Sequence, residues 1–232
     1  MYICGLQKLS MVDFPGKLSA TVFTGGCNLR CPFCHNAPLV THVASTPILS
    51  QEEVLDFLMH RQGLLDGVVL SGGEPLLQAG AADFLRAVRD LGFAVKLDTN
   101  GCYPDALEDI LRRGLVDYVA MDVKNSPERY GLTVGVPDLD LAPIRRSIDL
   151  IRSSGLDYEF RTTVVRELHT AADLAAIGQW LRGSRRYALQ KFVDSGDLVS
   201  DAPFHAHSDQ ELRDMAAYLE PCFQQVLLRG VE

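Results

Sequence analysis

Short apolar segments and segments of helical periodicity alternate along most of the chain. Segments rich in aliphatic and β-branched residues predict six strands, at residues 20–24, 68–71, 94–98, 118–122, 158–165 and 187–192. Between them, apolar positions spaced three and four residues apart predict helices. Two of these helices are preceded by capping-box patterns, at residues 50–53 and 208–211. Strands that alternate with helices predict parallel strands with right-handed crossovers, in either an open doubly wound sheet or a partial barrel.

Composition places the chain among ordinary globular proteins. It has 232 residues, of which 47% are hydrophobic and 22% are charged, so it is long enough to bury a core and too apolar to be disordered. No linker, repeat or low-complexity tract interrupts the alternation. We therefore expect one domain over residues 1–232, with a short helical extension at about 208–232.

Charge and hydropathy exclude two classes of partner. The net charge is −8 and the basic residues are scattered, whereas nucleic-acid binding needs clustered Lys and Arg. No apolar run approaches the ~18 residues that a membrane span needs, and the N-terminus lacks the pattern of a signal peptide. The sequence thus predicts a cytoplasmic protein that binds neither nucleic acid nor membrane.

Polar loops follow the first four predicted strands. They lie at residues 25–36, 71–75, 98–101 and 122–124. In both possible closures of the sheet, ligands bind at the carboxyl ends of parallel strands. We expect these loops to meet on one face and to form the functional site.

The first of these loops, residues 25–36, carries three of the six cysteines, in the pattern C-x₃-C-x₂-C: Cys27, Cys31 and Cys34. Cys31 to His35 also fits the pattern of covalent haem attachment, which requires an exported protein. A structural zinc ion is a second alternative, although Cys34 and His35 are adjacent and cannot easily both coordinate one tetrahedral ion. The chemistry favours a third interpretation, a 4Fe-4S cluster held by three thiolates with one iron left open.

The cysteine loop, together with Gly72-Gly73-Glu74-Pro75 after the next strand, resembles the radical S-adenosylmethionine (SAM) enzymes. Residues 5–10 and 13–17 look like those of activating enzymes for glycyl radical enzymes. The similarity is greatest to the activases of anaerobic ribonucleoside-triphosphate reductase and is also clear to those of pyruvate formate-lyase. It runs from about Leu6 to at least Phe192. The resemblance implies a partial (β/α)6 TIM-like barrel of the radical SAM type.

The resemblance also implies roles for individual residues. The three cysteines would ligate one 4Fe-4S cluster, and the amino and carboxylate groups of SAM would chelate the fourth iron. Phe33 would lie near the adenine; it could also be a plain packing residue, and the two roles can hold together. The loop after the second predicted strand would bind the methionine ammonium through Gly72, Gly73, Glu74 and Pro75.

Further along the chain the resemblance implies a charged part of the site. The counterparts of Asp98, Thr99 and Asp122 surround a monovalent cation in pyruvate formate-lyase activating enzymes. Alternatively, the two aspartates cap helices or pair with Lys124. Lys124 and Arg161 are candidates for holding the SAM carboxylate or ribose, and either could instead be an ordinary ion-pair partner.

The implied activity is that of a radical SAM oxidoreductase. A reduced cluster cleaves SAM, and the resulting 5′-deoxyadenosyl radical removes a hydrogen atom from a glycine Cα of a partner enzyme. The expected partner is anaerobic ribonucleoside-triphosphate reductase, with flavodoxin or ferredoxin as a low-potential electron donor. The alternatives are activation of another glycyl radical enzyme such as pyruvate formate-lyase, or action on a small molecule or peptide. A metal-binding module without catalysis is the alternative from a different class.

Overall fold

The computed structural model describes residues 1–43 and 46–231. Residues 44, 45 and 232, which the sequence assigns to the same domain, lie outside the described residues. The strands are β1 (Ile3–Ser10), β2 (Ser19–Thr24), β3 (Gly67–Gly72), β4 (Ala94–Thr99), β5 (Tyr118–Asp122), β6 (Asp157–Val164), β7 (Arg186–Lys191) and β8 (Gln225–Arg229). The helices are α1 (Ala37–Thr41), α2 (Gln51–Met59), α3 (Ala81–Asp90), α4 (Pro104–Arg112), α5 (Tyr130–Thr133), α6 (Ala142–Ser153), α7 (Ala171–Trp180) and α8 (Asp209–Leu219).

The strands follow one another in the sheet in chain order, from β1 to β8. β1 pairs antiparallel with β2, whereas β2 with β3, β3 with β4, β6 with β7 and β7 with β8 pair in parallel. Among the described residues the order leaves β1 and β8 at the two ends, so the sheet is not closed. The prediction of an α/β fold with a mostly parallel, open-sided sheet is confirmed.

The six predicted strands correspond to β2 through β7, and all of their bounds agree within one residue. β1 and β8 were not predicted. β8 lies in the segment for which the sequence predicted helical structure, and it pairs with residues 186–190 of β7. The helical extension predicted over about residues 208–232 is therefore limited mainly to α8, which ends at Leu219.

Side-chain caps fix the starts of the predicted helices. The Ser50 side chain accepts a hydrogen bond from the Glu53 backbone N–H, and Glu53 returns a bond to the backbone of Ser50. Ser208 and Glu211 form the same reciprocal pair at the start of α8. Both capping boxes predicted from the sequence are confirmed.

The chain divides into two compact units. The first consists of Met1–Asn28, Pro38–Ala120 and Pro143–Asp157, and the second of Leu29–Ala37, Met121–Ala142 and Tyr158–Glu232. Each has its own fully buried apolar side chains, exemplified by Leu85 and Leu97 in the first unit and by Tyr130 and Phe160 in the second. None of the helices among residues 1–43 and 46–231 has the length and apolar composition needed to cross a membrane.

Candidate functional site

In the first unit, the backbone joins the loops that follow β2 and β3. The Gly73 N–H donates to the carbonyl of Thr24, and the Glu74 N–H donates to the carbonyl of Gly26, both at 2.8 Å. Gly72 has φ +121°, which side chains rarely tolerate, and a Cβ on Gly73 would overlap the carbonyl oxygen of Gly26. The two glycines are therefore required for this close approach.

The Glu74 side chain connects the loop after β3 to the loop after β4. Its carboxylate is fully buried. Oε1 accepts from the Leu76 N–H at 3.0 Å and from the Thr99 hydroxyl at 2.8 Å, and Oε2 accepts from the Asn100 N–H at 2.7 Å. Pro75, also buried, begins a single 3₁₀ turn that Glu74 caps. Three of the loops that the sequence predicted to meet, those after β2, β3 and β4, are thus hydrogen-bonded to one another.

Asn100 lies at the centre of this network, and the sequence did not single it out within its loop. Its Oδ1 accepts from the Cys102 N–H at 2.9 Å. Its Nδ2 donates to Asn28 Oδ1 at 2.9 Å and to the Sγ of Cys27 at 3.7 Å. The position of Asn100, between the end of β4 and Gly101, is the sequence feature that could have identified it as a site residue.

Asp98 forms an ion pair within the first unit. Lys96 Nζ lies 2.6 Å from its Oδ1, and the Ser71 hydroxyl donates to its Oδ2 at 3.1 Å. The Lys96 side chain is 1% exposed, so it is a buried cation with a carboxylate partner. Residues 96 and 98 share a face of β4 because strand side chains alternate. A lysine inside an apolar strand was the signal that could have predicted this pair.

The second unit holds the other charged residues that the sequence pointed to. Arg161 Nε donates to one oxygen of Asp122 at 2.5 Å and Lys124 Nζ to the other at 3.0 Å. Burial raises the pKa of the Asp122 carboxyl, but the charges of Arg161 and Lys124 outweigh burial and hold this pKa well below its ordinary value. The pairing of Asp122 with Lys124, one of the alternatives left open by the sequence, is present.

Lys124 also interacts electrostatically with the cysteine loop. Burial lowers the pKa of its ammonium group, yet the negative charge of Asp122 and the thiolate charges at Cys31 and Cys34 raise it above its ordinary value overall. The lysine is therefore a fixed positive charge at any ordinary pH. It brings that charge to the part of the second unit that contains two of the three clustered cysteines.

Phe33 is buried in an aromatic cluster of the second unit. Its ring meets the edge of His169 at 6.3 Å and that of Phe204 at 6.5 Å between centroids. His169 Nδ1 accepts from the Val165 N–H at 3.0 Å, so Nε2 carries the proton and donates to the carbonyl of Lys124 at 2.8 Å. Burial lowers the pKa of His169, which keeps the ring neutral. The packing role considered for Phe33 is present.

None of the six cysteines forms a disulfide. Within the described ranges, no three His, Cys, Asp or Glu side chains are grouped closely enough to hold a metal ion.

Residues 21–177 match the family model of the radical SAM superfamily, which is more than half of the chain. The chain is 32% identical over 236 residues to a putative glycyl-radical enzyme activating enzyme, MJ1227 of Methanocaldococcus jannaschii, covering 99% of this chain and 96% of the relative. It is 35% identical to the pyruvate formate-lyase-activating enzyme of Clostridium pasteurianum, over 53% of this chain and 52% of that one.

Two further similarities concern proteins that are not named as activating enzymes. A 7-carboxy-7-deazaguanine synthase of Hyperthermus butylicus is 34% identical, over 83% of this chain and 77% of its own length. The structure of Streptococcus suis SuiB bound to its precursor peptide SuiA superposes with a TM-score of 0.72 at 12% identity, over 90% of this chain and 48% of SuiB. At that identity the likeness concerns the fold alone. The family model and the end-to-end match establish that this chain belongs to the radical SAM superfamily.

Proposed function

We propose that this protein activates a glycyl radical enzyme, and that its partner is anaerobic ribonucleoside-triphosphate reductase. The observation that carries the proposal is the match over 99% of the chain to a protein named as a putative activating enzyme of this class. The features that the sequence shares with the reductase activases, at residues 5–10 and 13–17, supply the choice of partner.

The residues present fit the cofactors that the superfamily uses. Three cysteines, none of them in a disulfide, stand within eight residues of chain, and a buried amide directs an N–H at one of them. The glycine loop after β3 offers backbone with no side chain in the way. When bound, a 4Fe-4S cluster on Cys27, Cys31 and Cys34 and a SAM molecule together supply a radical able to remove a hydrogen atom.

The contacts of Glu74 refine its proposed role in SAM binding. Because its carboxylate is buried and accepts from Leu76, Thr99 and Asn100, we propose that the backbone carbonyls of Gly72, Gly73 and Glu74 accept the methionine ammonium. The side chain of Glu74 then fixes the shape of the loop, and Pro75 stiffens it.

The other cofactor-binding residues are proposed with the partners that the structure gives them. Arg161 and Lys124 would hold the SAM carboxylate or ribose while they remain bonded to Asp122. Phe33 would approach the adenine from its aromatic cluster. A monovalent cation beside Asp98, Thr99 and Asp122 stays a prediction, since each of these side chains already has a partner in its own unit.

The chain's own residues would then do three things: orient SAM by hydrogen bonds and fixed charges, pack aromatic side chains against it to exclude water, and leave one side of the sheet open to a protein loop. The radical would be passed to a glycine Cα of the partner. Flavodoxin or ferredoxin in the cytoplasm remains the proposed electron source.

The test is anaerobic reconstitution with iron and sulfide, followed by dithionite and SAM. We expect stoichiometric 5′-deoxyadenosine from the wild type and none from Cys31→Ala, with Cys222→Ala as the matched control. In the second stage, electron paramagnetic resonance should detect a glycyl radical when anaerobic ribonucleotide reductase is added. A radical formed only on pyruvate formate-lyase would overturn the choice of partner. 5′-Deoxyadenosine made with no radical on either protein would point to a small molecule or peptide substrate.

A further inference from the structure

Asn100 is placed to act on the cluster through Cys27. We propose that its side-chain amide is a hydrogen-bond donor to the Cys27 sulfur and raises the reduction potential of the cluster, and that the buried Glu74 holds it there. The inference rests on the proposed cluster and assigns a role to a residue that none of the cofactor contacts proposed above includes. Asn100 would be a positioning and tuning residue, because it acts through a ligand and not on SAM.

The orientation of the amide follows from its neighbours. The backbone N–H of Cys102 can only donate, so the Asn100 atom that it meets at 2.9 Å must be the oxygen. That assignment turns Nδ2 toward Asn28 Oδ1 and the Cys27 Sγ. A flipped amide would set two N–H donors against each other and point an oxygen at a thiolate.

The backbone of Asn100 is anchored as firmly as its side chain. Its N–H donates to the buried carboxylate of Glu74 at 2.7 Å, and the neighbouring Thr99 hydroxyl donates to the same carboxylate. A bond between an N–H and a carboxylate is among the stronger ones in proteins. Asn100 is itself buried, so its donor is held in place against a cysteine that is only partly exposed.

A donor on a ligand sulfur has a defined electrostatic consequence. Reduction adds negative charge to a cluster, and part of it resides on the thiolate sulfurs. An N–H aimed at such a sulfur stabilises the reduced form more than the oxidised form, and hydrogen bonds to sulfur are among the factors that set cluster potentials. Removing the donor should therefore lower the potential.

The competing explanation is local and structural. The bond from the Cys102 N–H to Oδ1 is an Asx turn, which an asparagine forms with no cluster present. Aspartate forms the same turn, yet it has no N–H to offer the sulfur. Asn100→Asp therefore keeps the turn and the Glu74 bond but replaces Nδ2, the donor to Cys27 and Asn28, with a carboxylate oxygen. Asn100→Leu removes both the turn and the donor.

The experiment measures the midpoint potential of the reconstituted cluster by redox titration, with electron paramagnetic resonance of the reduced state as the readout. We expect Asn100→Leu to shift the one-electron reduction equilibrium about tenfold toward the oxidised form, ~59 mV downward. Asn100→Asp should shift it further in the same direction, because it also places a carboxylate beside the sulfur. The matched control is Ser147→Ala, which removes a 2.7 Å hydrogen bond to the carbonyl of Gly101 in the same loop and should leave the potential unchanged.

The possible outcomes separate the inference from the proposed function. A downward shift in both Asn100 variants and none in Ser147→Ala supports the inference. Wild-type potentials in both variants overturn it while the cluster and 5′-deoxyadenosine formation persist. A shift in Asn100→Leu alone, or an equal shift in Ser147→Ala, assigns the effect to the loop and also overturns it. A wild type that binds no iron and sulfide refutes the proposed function and the inference together.

Discussion

The buried carboxylate of Glu74 supports the sharpest prediction about the fold of the site. Its oxygens accept from Leu76 and Thr99 at Oε1 and from the Asn100 N–H at Oε2. Glu74→Gln has the same shape, and its carbonyl oxygen can replace Oε1. Its NH₂ group then faces the Asn100 N–H, so one donor loses its acceptor while the other two keep theirs.

The expected magnitude follows from that single loss. A buried donor left without a partner costs about 1–3 kcal/mol, and bonds to charged groups lie in the upper part of this range. We therefore expect a local destabilisation of about 2 kcal/mol, which corresponds to about 30-fold faster exchange of the affected amide proton. The Asn100 amide should exchange faster, and the Leu76 amide should keep its wild-type rate.

The assay is amide hydrogen exchange by NMR on the anaerobic, reduced protein. Glu52→Gln is the control, because it makes the same change in charge at an exposed position in α2, and it should alter neither amide. Unchanged exchange at Asn100 in Glu74→Gln would refute the assigned geometry. Equal acceleration at Leu76 and Asn100 would also refute it, since a general loosening of the loop would then explain the result.

Three further predictions concern other contacts. Gly73→Ala should lower iron and sulfide incorporation severalfold by chemical analysis, because the new Cβ overlaps the Gly26 carbonyl and separates the two loops; wild-type incorporation would contradict this. Tyr187→Phe should lower the free energy of unfolding in urea by about 1 kcal/mol, because it removes a buried 2.7 Å hydrogen bond to a threonine hydroxyl, and an unchanged midpoint would contradict it. Hydrogen bonds from Arg166, and after them those from Ser208, lower the pKa of Glu211 from 4.5 to about 2. The Glu211 carboxylate therefore stabilises the folded protein above about pH 4.5, and this stabilisation is lost as the pH falls toward 2. In Arg166→Met, NMR titration should find the Glu211 pKa displaced upward toward 4.5.

The strands show which part of the fold local sequence determines. β2 through β7 are runs of aliphatic and β-branched residues, and such runs predict buried parallel strands without reference to the rest of the chain. β8, with the sequence QVLLR, is too short for its periodicity to distinguish strand from helix. Its conformation is decided by pairing with β7, about 40 residues earlier in the chain, and a sequence pattern does not carry that information.

The site shows the same division between local and distant information. Loop positions after β2, β3 and β4 were predicted because glycines and polar residues follow each strand. The burial of the Glu74 carboxylate was not predicted. It depends on hydrogen bonds from Thr99 and Asn100, which lie 25 and 26 residues further along the chain. The pair of Lys96 and Asp98, in contrast, could have been predicted, since residues two apart on a strand face the same side.

The charges of the site bear directly on the predicted monovalent cation. The cation was predicted because carboxylates repel an anionic ligand group unless a positive charge lies between them. Asp98 is matched by the buried Lys96 in the first unit, whereas Asp122 in the second unit has two cationic partners, Arg161 and Lys124. Arg161 and Lys124 offset the negative charge of Asp122, and Lys124 also lies within electrostatic reach of Cys31 and Cys34. An added cation would therefore have to compete with these two side chains at Asp122.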